Sequence, residues 1–109
     1  MSNQLKKLEI YLEPSDNKRL SSLCGPFDEN IKHIERRLGV EITHRDNYFK
    51  ITGKTTSAFA AMEILKDLYV ETQPVRGVIT EIEANTVHLA ISESNALEQD
   101  ELNEYGKEV

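Results

Sequence analysis

The stretch of residues 24 to 53 constrains the fold most, because it alone contains a complete unit of one helix and two strands. Its first part places apolar residues at the spacing of one helical face, namely Ile31, Ile34 and Leu38. Gly25 precedes this predicted helix and Gly39 ends it. Two short runs of alternating apolar and polar residues follow, separated by the turn-forming pair Asp46-Asn47. The pattern predicts a helix followed directly by a β-hairpin.

A strand and a short helix are predicted before this central unit. The strand has apolar residues at alternate positions, Leu8, Ile10 and Leu12. Pro14 ends it, and Ser15 or Asp16 is placed to cap the helix that follows. The apolar face of that helix consists of Leu20, Leu23 and Cys24.

A third helix is predicted after the hairpin, ending near Thr72. Its cap is expected at Thr55, Thr56 or Ser57. Its apolar stripe comprises Phe59, Met62, Leu65 and Tyr69, with Ala58, Ala61 and Leu68 beside it. The order is therefore strand, helix, helix, strand, strand, helix. We expect an α+β fold, a two-layer sandwich in which three antiparallel strands pack under three helices.

The predicted boundaries divide the chain into three parts. Residues 1–73 form the α+β domain, and Gln73-Pro74 marks its end. Residues 74–92 are expected to pack on it as an extension with a short helix, through Val78, Ile79, Ile82, Val87, Ala90 and Ile91. Residues 93–109 are dominated by acidic and small polar residues, which predicts a linker.

The charge distribution limits the classes of partner. The 109 residues include 13 basic and 19 acidic side chains, and the net charge of -6 argues against a protein dominated by phosphate binding. The two halves differ, however. Residues 1–54 carry ten Lys or Arg against eight Asp or Glu, whereas residues 55–109 carry three against eleven. An anionic partner would therefore meet the first half.

Cysteine content and hydropathy indicate the compartment. Cys24 is the single cysteine, so we expect no internal disulfide, a reducing environment and a small buried side chain at a helix end. No apolar run approaches the roughly 18 residues of a membrane span, and the N-terminus lacks the apolar segment of a signal peptide. We expect a soluble, cytoplasmic protein with no membrane partner.

Motifs for catalysis are weak. Gly53-Lys54-Thr55 looks like the end of a phosphate-binding P-loop, but Tyr48 stands where the first glycine of that motif is needed. Gly53 is better explained as a turn glycine. The three histidines, His33, His44 and His88, share no metal-ligand spacing. We expect no catalytic, metal or cofactor residues within this chain.

A basic cluster is the main candidate for binding. The predicted central helix carries Lys32, Arg36 and Arg37 away from its apolar face, and Lys50 and Lys54 could join them from the hairpin. Such a cluster contacts phosphates and gives affinity without reading sequence. The alternative is a solvated helix face on which Lys32 pairs with Asp28 or Glu29. No Phe or Tyr is obviously spaced to stack on bases.

The central unit resembles a KH domain, in which a G-x-x-G loop joins two helices ahead of a strand pair and a further helix. The matching positions are Gly25, Ile31, Ile34, Gly39, Ile42, Ile51 and Gly53. Asp28 stands at the second loop glycine, where a carboxylate is expected to cap the next helix and repel phosphates. The resemblance implies a groove for nucleic acid or another partner at the loop of Gly25, Pro26, Phe27 and Asp28, beside the basic residues.

The chain also resembles the N-terminal region of bacterial PhoH-like proteins over essentially its whole length. Three segments carry this resemblance: LEPSDNKRLSSLCGPFDENIKHIERRLGVEI, ILKDLYVETQPVRGVI and EYGKEV. It implies a KH-like domain ahead of a P-loop ATPase domain that would bind ATP and Mg²⁺. It also implies roles in RNA metabolism and association with the endoribonuclease that matures ribosomal RNA. The chain stops before any Walker motif, so we expect residues 93–109 to lead to an ATPase domain.

Two functions follow as hypotheses. In the first, this is a non-catalytic domain of a PhoH-like ATPase that engages RNA or an RNA-processing partner through the glycine loop and the basic helix. In the second, it is a structural module that docks its own ATPase domain or drives homo-oligomerisation without contacting nucleic acid. Salt-dependent RNA binding would favour the first, and self-association that is insensitive to salt would favour the second.

Overall fold

A computed structural model describes residues 5–94 of the chain. Their elements are β1 (Leu5–Tyr11), α1 (Asn17–Cys24), α2 (Glu29–Leu38), β2 (Glu41–Arg45), β3 (Tyr48–Lys54) and α3 (Thr55–Glu71). A 3-10 turn, Pro26–Asp28, joins α1 to α2, and residues 84–94 form a further helix, α4. The predicted order β-α-α-β-β-α is confirmed, and it is the order of a KH domain.

The three strands form one antiparallel sheet in the order β1-β3-β2, with the last strand in the centre. Ile51 of β3 is opposite Leu8 of β1 and Ile42 of β2. The alternate residues Phe49, Ile51 and Gly53 are buried on the side of the helices. The predicted two-layer α+β sandwich is therefore confirmed.

The core lies between this inner face of the sheet and the helices. Its fully buried members include Leu23, Ile34, Phe49, Ile51, Leu65 and Leu68. Each such side chain contributes roughly 1.5–3 kcal/mol by leaving water. Ile82, Val87 and Ile91 belong to the same cluster, so the segment after α3 adds to this core. Val78, which was expected to pack there as well, is exposed.

The helix caps agree with the sequence in one case and differ in another. Asp16 caps α1, because its carboxylate accepts from the amides of Lys18 and Arg19 at 2.9 and 3.2 Å. The expected cap of α3 at Thr55, Thr56 or Ser57 is wrong. β3 runs straight into α3, so Thr55 is already helical and Lys54 occupies the cap position without a side-chain hydrogen bond.

The predicted stripe on α3 is also partly wrong. Phe59 is 43% exposed, whereas Ala58, Ala61 and Ile64 are buried. The two alanines have short side chains that allow the helix backbone to approach the sheet closely. The contact face is therefore centred on them and turned away from Phe59.

Gly53 lies inside β3, so its interpretation as a turn glycine is wrong. A Cβ at this position would lie 2.7 Å from Cγ1 of Val40. The glycine therefore permits the chain between α2 and β2 to cross closely over the sheet.

Within residues 5–94, no helix has both the length and the apolar content that crossing a membrane requires. Of the predicted linker, only residues 93 and 94 fall within the described part, and both are helical.

Candidate functional site

The loop between α1 and α2 has an unusual backbone. Gly25 has φ 78 and ψ 173, and a Cβ there would lie 2.8 Å from Nδ2 of Asn30. Phe27 and Asp28 both adopt positive φ, at 55 and 59. Phe27 is 90% exposed at the tip of the loop. The loop therefore has a strained backbone and presents one aromatic ring to solvent.

The expectation that Asp28 caps α2 is wrong. A capping residue normally has an extended backbone, which aims its side chain at the free amides of the first turn. The backbone of Asp28 is in the left-handed helical conformation, and its side chain makes no capping hydrogen bond. Its Oδ2 atom instead lies 3.0 Å from Nε2 of His44 in β2. The loop is thus joined to the edge of the sheet through one side-chain pair.

A groove separates α1 and the loop from the end of β2, and we call it the loop groove. Its volume is about 330 Å³, and it is lined by Asn17, Leu20, Ser21, Cys24, Gly25, Asp28, His44 and Asp46. This is the place where the KH resemblance puts a nucleic-acid groove. Among the described residues that line it, two are carboxylates and none is Lys or Arg. A phosphate would meet unfavourable electrostatics here.

Three chemically active side chains meet in the loop groove. The Sγ atom of Cys24 lies 3.9 Å from Nε2 of His44, and ligand-type atoms of Cys24, Asp28 and His44 all lie within 4.8 Å of one another. The His44 ring stacks on Phe49, with ring centroids 4.9 Å apart and planes inclined by 16°. No residue spacing in the sequence indicates this cluster, because its members come from a helix end, a loop and a strand.

This cluster does not have the geometry of a nucleophilic triad. In such a triad the imidazole uses one nitrogen for the nucleophile and the other for the acid. Here Cys24 and Asp28 both approach Nε2 of His44. Burial raises the pKa of the Cys24 thiol to about 12, and the nearby Asp28 carboxylate acts in the same direction. The thiol is therefore protonated at neutral pH and is a poor nucleophile.

The predicted basic cluster on α2 is divided between two sides of the helix. Lys32, Arg36 and Arg37 are all exposed. Arg37 lies beside α4, with its Nη1 atom 3.1 Å from Nδ1 of His88. Glu35 is on the side of β2, where it accepts from the amide of Ile42. At about 100° per residue, Lys32 and Arg37 lie about 140° apart around α2, so these two side chains do not line one groove.

The ion pairs that the sequence suggested for Lys32 on a solvated helix face do not form among the described residues. Within residues 5–94, no ion pair joins Lys32 to Asp28 or Glu29, and Asp28 is paired with His44. Lys32 is therefore exposed to solvent on its helix face and is not paired with Asp28 or Glu29.

The expectation that Lys50 and Lys54 join the helix is wrong. Side chains alternate across a strand, and Phe49 and Ile51 point toward the helices. Lys50 and Lys54 consequently lie on the other side of the sheet. We call this side the open face; it carries Tyr48, Lys50, Thr52 and Lys54 of β3 with their neighbours in β1 and β2.

The open face contains an aromatic pair that the spacing of Phe and Tyr in the sequence does not reveal. Tyr11 of β1 is opposite Tyr48 of β3, with ring centroids 5.2 Å apart and planes inclined by 50°. Tyr11 is 63% exposed. Desolvation raises the pKa of Tyr48, and the carboxylate of Glu9 adds to this shift. Strand alternation, combined with the order β1-β3-β2, was the signal that could have revealed the pair.

Basic side chains surround the tyrosines on the open face. Arg45 is opposite Tyr48 on β2, and Lys50 is one pleat further along β3. Lys7 and Lys54 lie toward the other end of the same face. Four basic residues therefore share this surface with the acidic residues Glu9 and Glu41.

The segment after α3 is anchored on the far side of the glycine loop. The Ser22 hydroxyl donates to the Thr80 carbonyl at 2.8 Å and accepts from the Ile82 amide at 3.1 Å. A second cavity of about 620 Å³ lies between α1 and residues 77–82. These contacts leave the open face uncovered by the described extension.

Comparisons with known proteins inform the fold alone. No family model matches the chain. A crystal structure of a protein of unknown function from Aeropyrum pernix has a similar fold, with a TM-score of 0.66 at 12% sequence identity. The match covers 96% of this chain and 55% of that protein, so the chain spans little more than half the length of the Aeropyrum pernix protein.

Proposed function

We propose that this chain is a non-catalytic RNA-binding domain of a PhoH-like ATP-binding protein, and that single-stranded RNA lies on the open face of its sheet. The observation that carries this proposal is the Tyr11–Tyr48 pair on that face beside Arg45 and Lys50, in which Tyr11 is exposed and Tyr48 is half-buried. An aromatic pair on a sheet with one exposed ring suits unstacked bases, and the basic side chains suit the phosphates between them.

Stacking supplies the first part of the affinity. Each base stacked on an aromatic side chain contributes roughly 1–3 kcal/mol, with little dependence on base identity. Tyr11 offers most of its ring to solvent, and Tyr48 supports it from the neighbouring strand. Such a platform would hold one or two bases of a single strand without strong sequence preference.

Charge supplies the second part. The chain as a whole is acidic, yet Lys7, Arg45, Lys50 and Lys54 outnumber the two carboxylates of the open face. Three or four phosphate contacts on a single strand give a salt dependence with a slope of roughly -2 to -3. The domain would therefore bind RNA weakly and in a strongly salt-dependent way.

The loop groove is a poorer candidate for RNA. Asp28 and Asp46 line it, and the basic residues expected beside it lie elsewhere. We therefore place the RNA on the opposite layer of the same domain and not in the KH-type groove.

The wider context of the proposal rests on the sequence resemblance. In a PhoH-like protein this domain would work in the cytoplasm, next to an ATPase domain that supplies the ATP and Mg²⁺ sites. It would bring RNA to that domain or to the endoribonuclease that matures ribosomal RNA.

A second candidate function is protein docking through the glycine loop. Phe27 is 90% exposed at a loop tip with a constrained backbone, which is an arrangement typical of an anchor residue that fills a partner's pocket. The partner would be the chain's own ATPase domain, the endoribonuclease or a second copy of this chain. In that case RNA would not bind to the isolated domain.

The proposal is tested by measuring RNA binding to the 109-residue chain. The assay is fluorescence anisotropy of labelled oligouridine at several salt concentrations. Tyr11→Ala should weaken binding roughly 5- to 150-fold, because one stacked base is lost. Phe59→Ala is the matched control, since it removes an exposed ring from α3.

The charged residues offer an independent arm of the same experiment. Lys50→Gln should reduce the salt slope by about 0.7, whereas Lys66→Gln, an exposed change on α3, should leave it unchanged. RNA binding that does not depend on salt would contradict a site on the open face. So would RNA binding that Tyr11→Ala and Phe59→Ala weaken equally.

A further inference from the structure

We propose that Cys24, Asp28 and His44 form a binding site for one Zn²⁺-class divalent transition-metal ion in the loop groove. The site lies on the helix side of the sheet and does not depend on RNA binding at the open face. Its ligands would be the thiolate of Cys24, one carboxylate oxygen of Asp28 and Nε2 of His44.

The positions of the three atoms support an ion between them. Sγ of Cys24 lies 3.9 Å from Nε2 of His44, which lies 3.0 Å from Oδ2 of Asp28. In a tetrahedral zinc site, bonds of about 2.3 Å to sulfur and about 2.0–2.2 Å to nitrogen and oxygen place neighbouring ligand atoms about 3.4–3.6 Å apart. The observed separations fall on either side of that range, so small side-chain rotations would create the site.

A chain of hydrogen bonds explains the arrangement of Cys24, Asp28 and His44 less well than a bound metal ion does. Nε2 of His44 has either one proton or one lone pair, so it satisfies only one of the two groups that approach it. Cys24 and Asp28 nevertheless converge on that one nitrogen. The sulfur, oxygen and nitrogen atoms lie around one common position and do not form a linear hydrogen-bond chain. This arrangement is that of the ligands of a metal ion.

The protein around the cluster fixes the ligands in place. The His44 ring is held by stacking on the buried Phe49, which directs Nε2 into the groove. The left-handed backbone of Asp28 turns its carboxylate toward His44 instead of toward the amides of α2. Cys24 is buried at the end of α1, next to the Gly25 turn. Orientation of ligands by their surroundings is a general requirement of metal sites.

The ligand types select the class of metal. A thiolate with an imidazole favours Zn²⁺ and similar transition metals, whereas Mg²⁺ and Ca²⁺ favour oxygen ligands alone. Binding forms one bond each to sulfur, nitrogen and oxygen. It releases the Cys24 thiol proton to solvent, together with any proton shared between His44 and Asp28. The fourth position would face the 330 Å³ groove and would be filled by water.

Cobalt titration of the 109-residue chain, kept reduced with a non-thiol reductant, tests the site. Co²⁺ bound to a thiolate gives a sulfur-to-metal charge-transfer band, and tetrahedral Co²⁺ gives intense visible absorption. We expect both signals to saturate at one equivalent and to disappear when Zn²⁺ is added. Zn²⁺ should also raise the Tm, because it binds only the folded chain.

Three variants identify the ligands. Cys24→Ala should abolish the charge-transfer band, and Asp28→Asn and His44→Phe should each weaken Co²⁺ binding at least tenfold. His44→Phe retains a ring to stack on Phe49, and Asp28 is half-exposed, so these two variants decide the question even if Cys24→Ala does not fold. His88→Gln is the control, because it removes an exposed histidine from α4.

The outcomes are distinct. A one-to-one complex lost in the three ligand variants and retained in His88→Gln supports the site. Absence of a thiolate band in the unmodified chain overturns it. So does Co²⁺ binding that survives His44→Phe and Asp28→Asn, or that is lost in His88→Gln.

Discussion

The side-chain amide of Asn30 donates a hydrogen bond of 2.9 Å to the backbone carbonyl of Ile82. The same nitrogen donates to the carbonyl of Leu23 at 3.0 Å. It also occupies the space that a side chain at position 25 would need. One buried amide therefore holds the end of α1, the Gly25 turn and the C-terminal extension together.

Asn30→Asp should destabilise the domain by about 3 kcal/mol or more, because it places an acceptor against two carbonyl oxygens in a buried position. Urea denaturation followed by circular dichroism measures the loss. Asn47→Asp is the matched control, since its half-buried amide donates to one carbonyl, that of Leu12. It should cost about 1 kcal/mol. An equal loss in the two variants would contradict the role assigned to Asn30.

Arg19 should be a second sensitive position. It is 4% exposed, donates to the Thr72 hydroxyl and the Tyr69 carbonyl, and lies 4.2 Å from the centroid of the Tyr69 ring. Arg19→Lys keeps the charge but loses the planar fork of donors, so we expect a loss of about 2–3 kcal/mol. Lys18→Ala, at the exposed neighbouring position, should stay within about 0.5 kcal/mol. Thermal and urea denaturation compare the pair, and a tolerated lysine at position 19 would refute the prediction.

Helix α4 should contribute to stability through one face only. Ile91 is fully buried, whereas Leu89 on the same helix is 55% exposed. Ile91→Ala should cost about 2–5 kcal/mol, and Leu89→Ala should stay within about 0.5 kcal/mol. Two small and similar changes in the urea midpoint would show that α4 does not pack on the core in solution.

Local sequence patterns were sufficient for the order of elements. Gly25 ends α1, Gly39 ends α2, and the Asp46-Asn47 pair connects the two strands of the hairpin, because each acts on the backbone of its own segment. The close packing of the layers was harder to predict. Ala58 and Ala61 look unimportant beside Phe59 in a sequence, yet the smaller residues face the sheet. Apolar periodicity locates a helix face but does not reveal which side chains are short enough for close approach.

The candidate sites depend on relationships that no single segment contains. Asp28 follows the composition rule for a helix cap, but its left-handed backbone sends the carboxylate to His44. The Tyr11–Tyr48 pair requires the strand order as well as the alternation within each strand. Composition and spacing therefore placed the loop correctly, and they could not show which side chains of other elements it meets.

Asp28→Gly separates the two locations proposed for RNA. The structure shows no cap to lose, and glycine adopts a φ of 59 freely, so the stability of the metal-free chain should change by no more than about 1 kcal/mol. RNA affinity should also remain unchanged if the RNA lies on the open face. Arg76→Gly, at a positive-φ residue that does not line the loop groove, is the control for the backbone effect. Tighter RNA binding by Asp28→Gly alone would return the RNA to the loop groove.

Chemical-shift mapping of the isotope-labelled chain with oligouridine tests the central claim most directly, since each backbone amide reports its own surroundings. We predict that the largest shifts, at low salt, occur at Tyr11, Tyr48 and Lys50, with small shifts at Gly25 and Phe27. Shifts confined to the glycine loop and His44, with the open face unaffected, would contradict the account.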